Sequence, residues 1–272
     1  MSGEVLRLHV LEEGPQAPVP VGPGGADGLL LLHGLYGNSG NLRRLVRHFA
    51  DHHRVLAPDL RNHGRSPHDP TMTYAAMVAD VVALLDERGV ERVAVLGHSM
   101  GGKVAMQLAL DHPERVTALV PVDIAPVRYQ HGQETVVAAM QRVDTAALGS
   151  RGEADAALAQ WIEEPGVRQF LLTNLQSAED GPGYRWRIPL EILAAAVPVI
   201  EGFPEGRTVY DGPTHLIYGE RSDYVVPALH RGAVLERFPR ATFRGIPEAG
   251  HWVHAERPEA FIAAVEDFLG SP

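Results

Sequence analysis

The chain has 272 residues, 45% hydrophobic and 21% charged, the balance of an ordinary folded protein rather than a disordered or fibrous one. Its 24 Lys and Arg against 34 Asp and Glu leave a net charge of −10, scattered along the chain, which argues against nucleic acid or an anionic membrane as partner. With no cysteine, disulfides, thiolate catalysis and Cys-bound metals are excluded.

Residues 6–10 alternate loosely and suit an edge strand, and 12–28 are crowded with Pro and Gly, the mark of a loop. The first ten residues lack the pattern of a secretory leader, and no apolar run approaches the ~20 residues of a membrane span, so a cytoplasmic protein is expected. A continuous apolar run at 29–32 reads as a strand buried on both faces. Residues 41–50 carry Leu42, Leu45, Val46 and Phe49 at helical spacing, and 55–57 form a short strand closed by Pro58. Thr73 is placed to cap a helix whose apolar face is Tyr74, Met77, Val78, Val81 and Leu85, stopped by Gly89. A strand at 92–96, a helix at 103–110 and a strand at 116–122 follow.

This alternation implies right-handed βαβ units and a parallel sheet. It resumes with a strand at 214–218, a helix at 227–237, a strand at 241–246 and a last helix opened by Pro258. Residues 127–205 interrupt it with Ala-rich helical sequence and the apolar groups Phe170, Leu171, Leu172, Leu175, Trp186 and Ile188. An insertion between two strands of a sheet sits over one end of it. The expected division is therefore a core of 1–126 and 206–272 with a helical cap at 127–205; a peripheral decoration is the plain alternative.

Gly97-His98-Ser99-Met100-Gly101 fits G-x-S-x-G between a strand and a helix, the context in which a serine is lifted above a sheet on a strained turn. Ser99 is the candidate nucleophile, and the Met100 N–H follows it at a helix start. His33-Gly34-Leu35-Tyr36-Gly37, after the first buried strand, offers a second donor at Leu35, so that Leu35 and Met100 make a candidate oxyanion hole. A serine needs a base. Of the 14 histidines, His251 lies on the loop after the last strand, where this chain order puts it; His254 is the weaker choice, His33 and His98 read as structural, and the pair His52-His53 as solvated. No histidine pair has metal-binding spacing, so no metal is expected. Asp123 and Asp223, each at the carboxyl end of a parallel strand, both qualify as the acid that orients His251. A loop glycine followed three residues on by Asp is a common placement for that acid, and the corresponding slot after Gly219 holds Ser222, which favours Asp123.

These motifs, with Asp59-Leu60-Arg61-Asn62-His63-Gly64-Arg65-Ser66, Val122-Asp123-Ile124-Ala125-Pro126-Val127 and Gly250-His251-Trp252-Val253-His254-Ala255-Glu256-Arg257-Pro258, resemble the bacterial YbfF-type esterases from about residue 29 to the end. The resemblance implies the α/β-hydrolase fold, a mostly parallel doubly wound sheet with a helical cap inserted between late strands. It implies a serine carboxylesterase that needs no cofactor and acts on a small-molecule acyl ester or thioester. It also implies Asp123 as acid, assisted by Ser222. Tyr36, Ser222 and Trp252 are counted as substrate-side residues, and Phe170–Leu175 and Trp186 as determinants of acyl length. Thioesterase, C–C hydrolase, lactonase, haloperoxidase and a slow ligand receptor are the other functions the same triad allows; oligomeric state is left open.

Overall fold

The computed structural model describes residues 4–179, 181–204, 206 and 208–270. The rest, including Asp180 and Glu205 of the expected cap, lie outside the described residues. In chain order the elements are β1 (Val10–Glu13), β2 (Gly28–Leu32), a 3₁₀ turn (Ser39–Leu42), α1 (Arg43–Phe49), β3 (Val55–Pro58), α2 (Tyr74–Glu87), β4 (Val93–His98), α3 (Met100–Asp111) and β5 (Val116–Val122). Then come α4 (Gln133–Gln141), α5 (Arg151–Leu158), α6 (Pro165–Leu172), β6 (Leu175–Ser177), β7 (Tyr184–Trp186) and α7 (Leu190–Glu201). The chain closes with β8 (Thr214–Gly219), α8 (Pro227–Arg237), β9 (Ala241–Ile246), α9 (Val253–Glu256) and α10 (Pro258–Leu269).

Seven strands form one sheet in the order β1-β3-β2-β4-β5-β8-β9, parallel except for the edge strand β1. The Leu run of β2 is wholly buried, and the period of two divides it: Leu30 and Leu32 face one apolar cluster, Leu29 and Leu31 the other. In β4, Val93 and Val95 divide from Ala94 and Leu96 in the same way. The sheet is thus covered on both faces, as a parallel sheet requires. The side of Leu30 also takes up Val137, Met140, Leu158, Leu171, Leu193 and Val197, so the segment between β5 and β8 packs against it.

Two expectations need correction. The first strand pairs at 10–13 rather than 6–10, where its partner is β3. The inserted segment is not helical throughout: Leu175 and Trp186 pair in the hairpin β6-β7.

Register sets the site. Leu32 lies beside Gly97, and His98 beside Val122. One residue beyond these pairs stand His33, Ser99 and Asp123, at the carboxyl edge of three adjacent strands. Gly219 pairs with Ile246, bringing the loops after β8 and β9 to that same edge.

Candidate active site

Ser99 is the residue between β4 and α3, held at φ 53° and ψ −119°, a region that costs an L residue about 1–3 kcal/mol. The surrounding packing enforces it. A Cβ on Gly97 would run into the Gly101 carbonyl, and one on Gly101 would come within 2.5 Å of the carbonyls of Leu32 and His33. Only glycine lets β4, α3 and the loop after β2 meet this closely. The Leu35 and Met100 N–H groups on that loop and helix have no partner among the described residues.

Asp123 also has positive φ, 48°, and is fully buried. Its N–H donates to Ile217 O, fixing the end of β5 to β8. Its carboxylate accepts from the Gly219 N–H at 3.1 Å, the Ser222 hydroxyl at 2.5 Å and His251 Nδ1 at 2.8 Å. Asp223 turns the other way. Its side chain is 81% exposed and its carboxylate lies 3.8 Å from His131 Nδ1. Burial raises Asp123 above the usual carboxylate range, against the pull of the Ser222 and Gly219 donors. Burial likewise holds His251 well below the usual imidazole range, with His131 adding to the effect. His251 is therefore neutral at neutral pH, with its proton on Nδ1 and Nε2 free. No hydrogen bond joins Ser99 to His251 among the described residues; the two line one cavity of about 270 Å³.

The imidazole is clamped on several sides. Tyr224 stacks on it with centroids 3.7 Å apart and planes at 19°, and His131 stacks on Tyr224 at 4.1 Å. His98 Nε2 donates to the His251 carbonyl at 2.8 Å, so the histidine beside Ser99 holds the loop that carries His251. His254 packs edge-on against His98 rather than near Asp123.

Tyr36 and Trp252 line the cavity with Leu35, Phe170 and Leu171; Met100 borders a smaller neighbouring cavity that shares Leu35 and Ser99 with it. Ser222 does not line either part. Counting it beside the substrate is corrected: its hydroxyl is turned to Asp123, and its oxygen also accepts from the Tyr224 N–H.

The sequence reading left the 59–66 motif without a mechanism, and the structure supplies one. His33 and His63 are buried and held neutral by that burial, His63 down to about 3. Each donates from Nδ1 to a nearby carbonyl, Gly34 O and Arg61 O, which leaves each Nε2 to accept: from Leu60 N–H at 2.9 Å and from Tyr36 N–H at 3.2 Å. Asp59 accepts from the N–H groups of Ser39 and Arg65. Arg61 forms a buried bidentate pair with Asp80. The motif is a brace for the loop that carries Leu35. Signals for it were present, since a buried Asp, Arg and His within five residues need partners. The partners were distant in sequence. His53, read as solvated, is in fact buried and donates from Nδ1 to Val19 O.

A family model described as alpha/beta hydrolase fold matches residues 28–258. The chain is 41% identical over 249 residues to a protein of Mus musculus named sn-1-specific diacylglycerol lipase ABHD11, covering 89% of this chain and 80% of that one. It is 38% identical over 242 residues to esterase YbfF of Escherichia coli, covering 89% and 92%. Among solved structures, one titled marine microorganism esterase superposes with a TM-score of 0.90 at 34% identity, covering 97% of this chain and all of that one.

Proposed function

The chain is a member of the α/β-hydrolase family and an ester hydrolase within it, and from that premise we propose that it cleaves small acyl esters through an acyl-enzyme on Ser99. The observation that carries this reading is the Asp123–His251 pair, bonded at 2.8 Å, at the wall of the cavity that also takes in strained Ser99. Ser99 Oγ attacks the acyl carbonyl carbon as His251 Nε2 takes its proton, and the Leu35 and Met100 N–H groups hold the oxyanion. Collapse breaks the ester C–O bond, and the alcohol leaves with the proton from His251. Water then attacks the acyl-enzyme by the same route, and the carboxylic acid departs. Asp123 fixes the Nδ1–H tautomer and stabilises the imidazolium as it forms. The stacked face of Tyr224 favours that same cation, an interaction worth about 0.5–2 kcal/mol.

The cavity sits just below the roughly 300–1,000 Å³ common for ligand sites, which suits a short to medium acyl chain. The 127–205 segment serves as its cap: Val136, Val167, Phe170 and Leu171 contribute its walls, and Phe170 meets Trp252 of the base loop at 5.7 Å. Oxygen esters are the proposed substrates rather than thioesters, in line with the names of the relatives. We place this activity in the cytoplasm; among the described residues no helix is long and apolar enough to cross a membrane. The test is kinetic. Ser99→Ala should retain the wild-type circular dichroism spectrum and lose p-nitrophenyl ester hydrolysis by several decades. A mutant within tenfold of wild type would overturn the reading.

A further inference from the structure

Tyr129 stands near the start of the segment between β5 and β8 and is 7% exposed. Its hydroxyl is used twice, and both partners are main-chain groups of the loops that build the site. It accepts from the Ala125 N–H at 2.8 Å and donates to the Tyr224 carbonyl at 2.8 Å. Ala125 lies two residues after Asp123, and Tyr224 is the residue whose ring covers His251. Burial raises the phenol above its ordinary value, so its proton stays available to the Tyr224 carbonyl. Two other buried tyrosines show what packing alone asks of a hydroxyl: Tyr74 and Tyr210 each donate to one carbonyl, those of Ile200 and Val116, and bridge nothing.

These bonds close a circuit. On its other side Tyr224 donates its N–H to Ser222 Oγ at 3.2 Å, and the Ser222 hydroxyl donates to the Asp123 carboxylate. The main chain from Asp123 to Ala125 completes the ring. The loops after β5 and β8 are therefore joined twice, once through the Asp123 carboxylate and once through Tyr129. The second joint matters because Asp123 stands at φ 48°, which an L residue keeps only where its surroundings hold it. Tyr129 is itself anchored from behind. Its N–H donates to the Glu201 carbonyl at 2.8 Å, and Lys103 Nζ lies 4.8 Å from the centre of its ring.

We propose that Tyr129 is a positioning residue for the hydrolysis: its hydroxyl fixes the spacing of the loops after β5 and β8, and so keeps Tyr224 flat on His251 while Asp123 holds Nδ1. The proposal rests on the reading of Ser99, His251 and Asp123 as the triad and adds to it a residue that touches none of the reacting atoms.

Tyr129→Phe tests it, because it keeps the ring beside Lys103 and removes only the bridge. With p-nitrophenyl butyrate, kcat should fall by about tenfold to a hundredfold, the scale on which a misplacement of about 1 Å acts. KM should stay within about threefold, since Tyr129 does not line the larger cavity. The acid limb of kcat/KM should move up toward the ordinary histidine value of about 6.5. A Tyr224 ring no longer held flat admits water to the imidazole and relieves the burial that lowers it. Tyr210→Phe is the control: it deletes a buried hydroxyl at the far end of β5 and should leave kcat and the acid limb as in wild type. A loss of kcat in Tyr129→Phe no larger than in Tyr210→Phe, or an acid limb that does not move, would overturn the proposal and leave the nucleophile untouched. Turnover that survives Ser99→Ala would instead overturn the reading beneath it. Wild type gives an answer even where Tyr129→Phe does not fold. The Ala125 amide should exchange with deuterated solvent as slowly as those of β5, and exchange at the rate of a free amide would overturn the proposal.

Discussion

Asp123 and Asp223 show how differently two carboxylates after neighbouring strands can be placed. Both end up in loops at the carboxyl edge of the sheet, but one is fully buried against His251 and the other is 81% exposed and faces His131. Asp123→Asn should therefore lose about 10⁴ in kcat, the scale found when the tautomer of a serine-protease histidine is no longer held, while Asp223→Asn should lose at most about tenfold. The reverse order in p-nitrophenyl ester assays would move the acid to the later loop. The burial of His251 carries a second consequence. From sequence, a free histidine base implies an acid limb of activity at about pH 6–7.5; burial, with His131 adding to it, moves the midpoint below the ordinary histidine value of about 6.5. A kcat/KM profile with its midpoint above 7 would contradict that environment. Ser99, His251 and the two donors were legible because each sits at a fixed offset from a strand or a glycine. The Tyr224 stack was not, because it arises where β5, β8 and β9 converge and no local pattern announces that meeting; the Ser222–Asp123 pairing was reached only through the family resemblance.

At the scale of elements, the helix that follows Ser99 is tied directly to the segment between β5 and β8. Lys103, on the second turn of α3, is 2% exposed and donates to the carbonyls of Ile200, Glu201 and Gly202 at the end of α7, at 3.3, 2.9 and 2.6 Å. A cation at a helix C-terminus is favoured by the helix dipole, and the Tyr129 ring 4.8 Å away adds a second favourable contact. Burial lowers the ammonium to about 7 all the same, a measure of what its desolvation costs. Lys103→Met removes these donors and strands the Gly202 carbonyl. A loss of about 1–3 kcal/mol in urea unfolding is expected; an unchanged midpoint would show that this segment is held by its apolar contacts alone. The strands at 116–122 and 241–246 and the helix at 227–237 were readable from sequence to the residue, since apolar runs or a leading Pro mark their limits. The edge strand β1 was misplaced because only half-buried residues and one neighbour define it. The three-residue strands of the hairpin are too short to show a period.

For the molecule as a whole, buried histidines set the response to acid. His33, His63, His98, His251 and His254 are all held below their ordinary value, with burial the largest cause in each. The unfolded chain binds protons at these sites from about pH 6.5 downward while the folded chain does not, so stability is lost as pH falls through and below that value. Asp123, raised by burial, works in the opposite sense, since its contribution is present at low pH and lost as pH rises through about 7. One group does not offset five. Thermal unfolding should fall by roughly 10 °C or more between pH 7 and pH 5. A flat or rising transition temperature over that interval would mean that the histidines are not buried as described. The stakes are local as well as global, because His33, His63 and His98 act in the site only while neutral or fixed in one tautomer.

The central claim, an acyl-enzyme on Ser99 served by His251 and Asp123, is tested most directly by trapping the intermediate. Wild-type protein mixed with a p-nitrophenyl ester and quenched in acid within the first turnovers should gain the mass of one acyl group, and peptide mapping should place it on Ser99. Ser99→Ala should gain none. An acyl group mapped to another side chain, or rapid release of p-nitrophenol by wild type with no acylated protein under conditions that slow deacylation, would contradict the account.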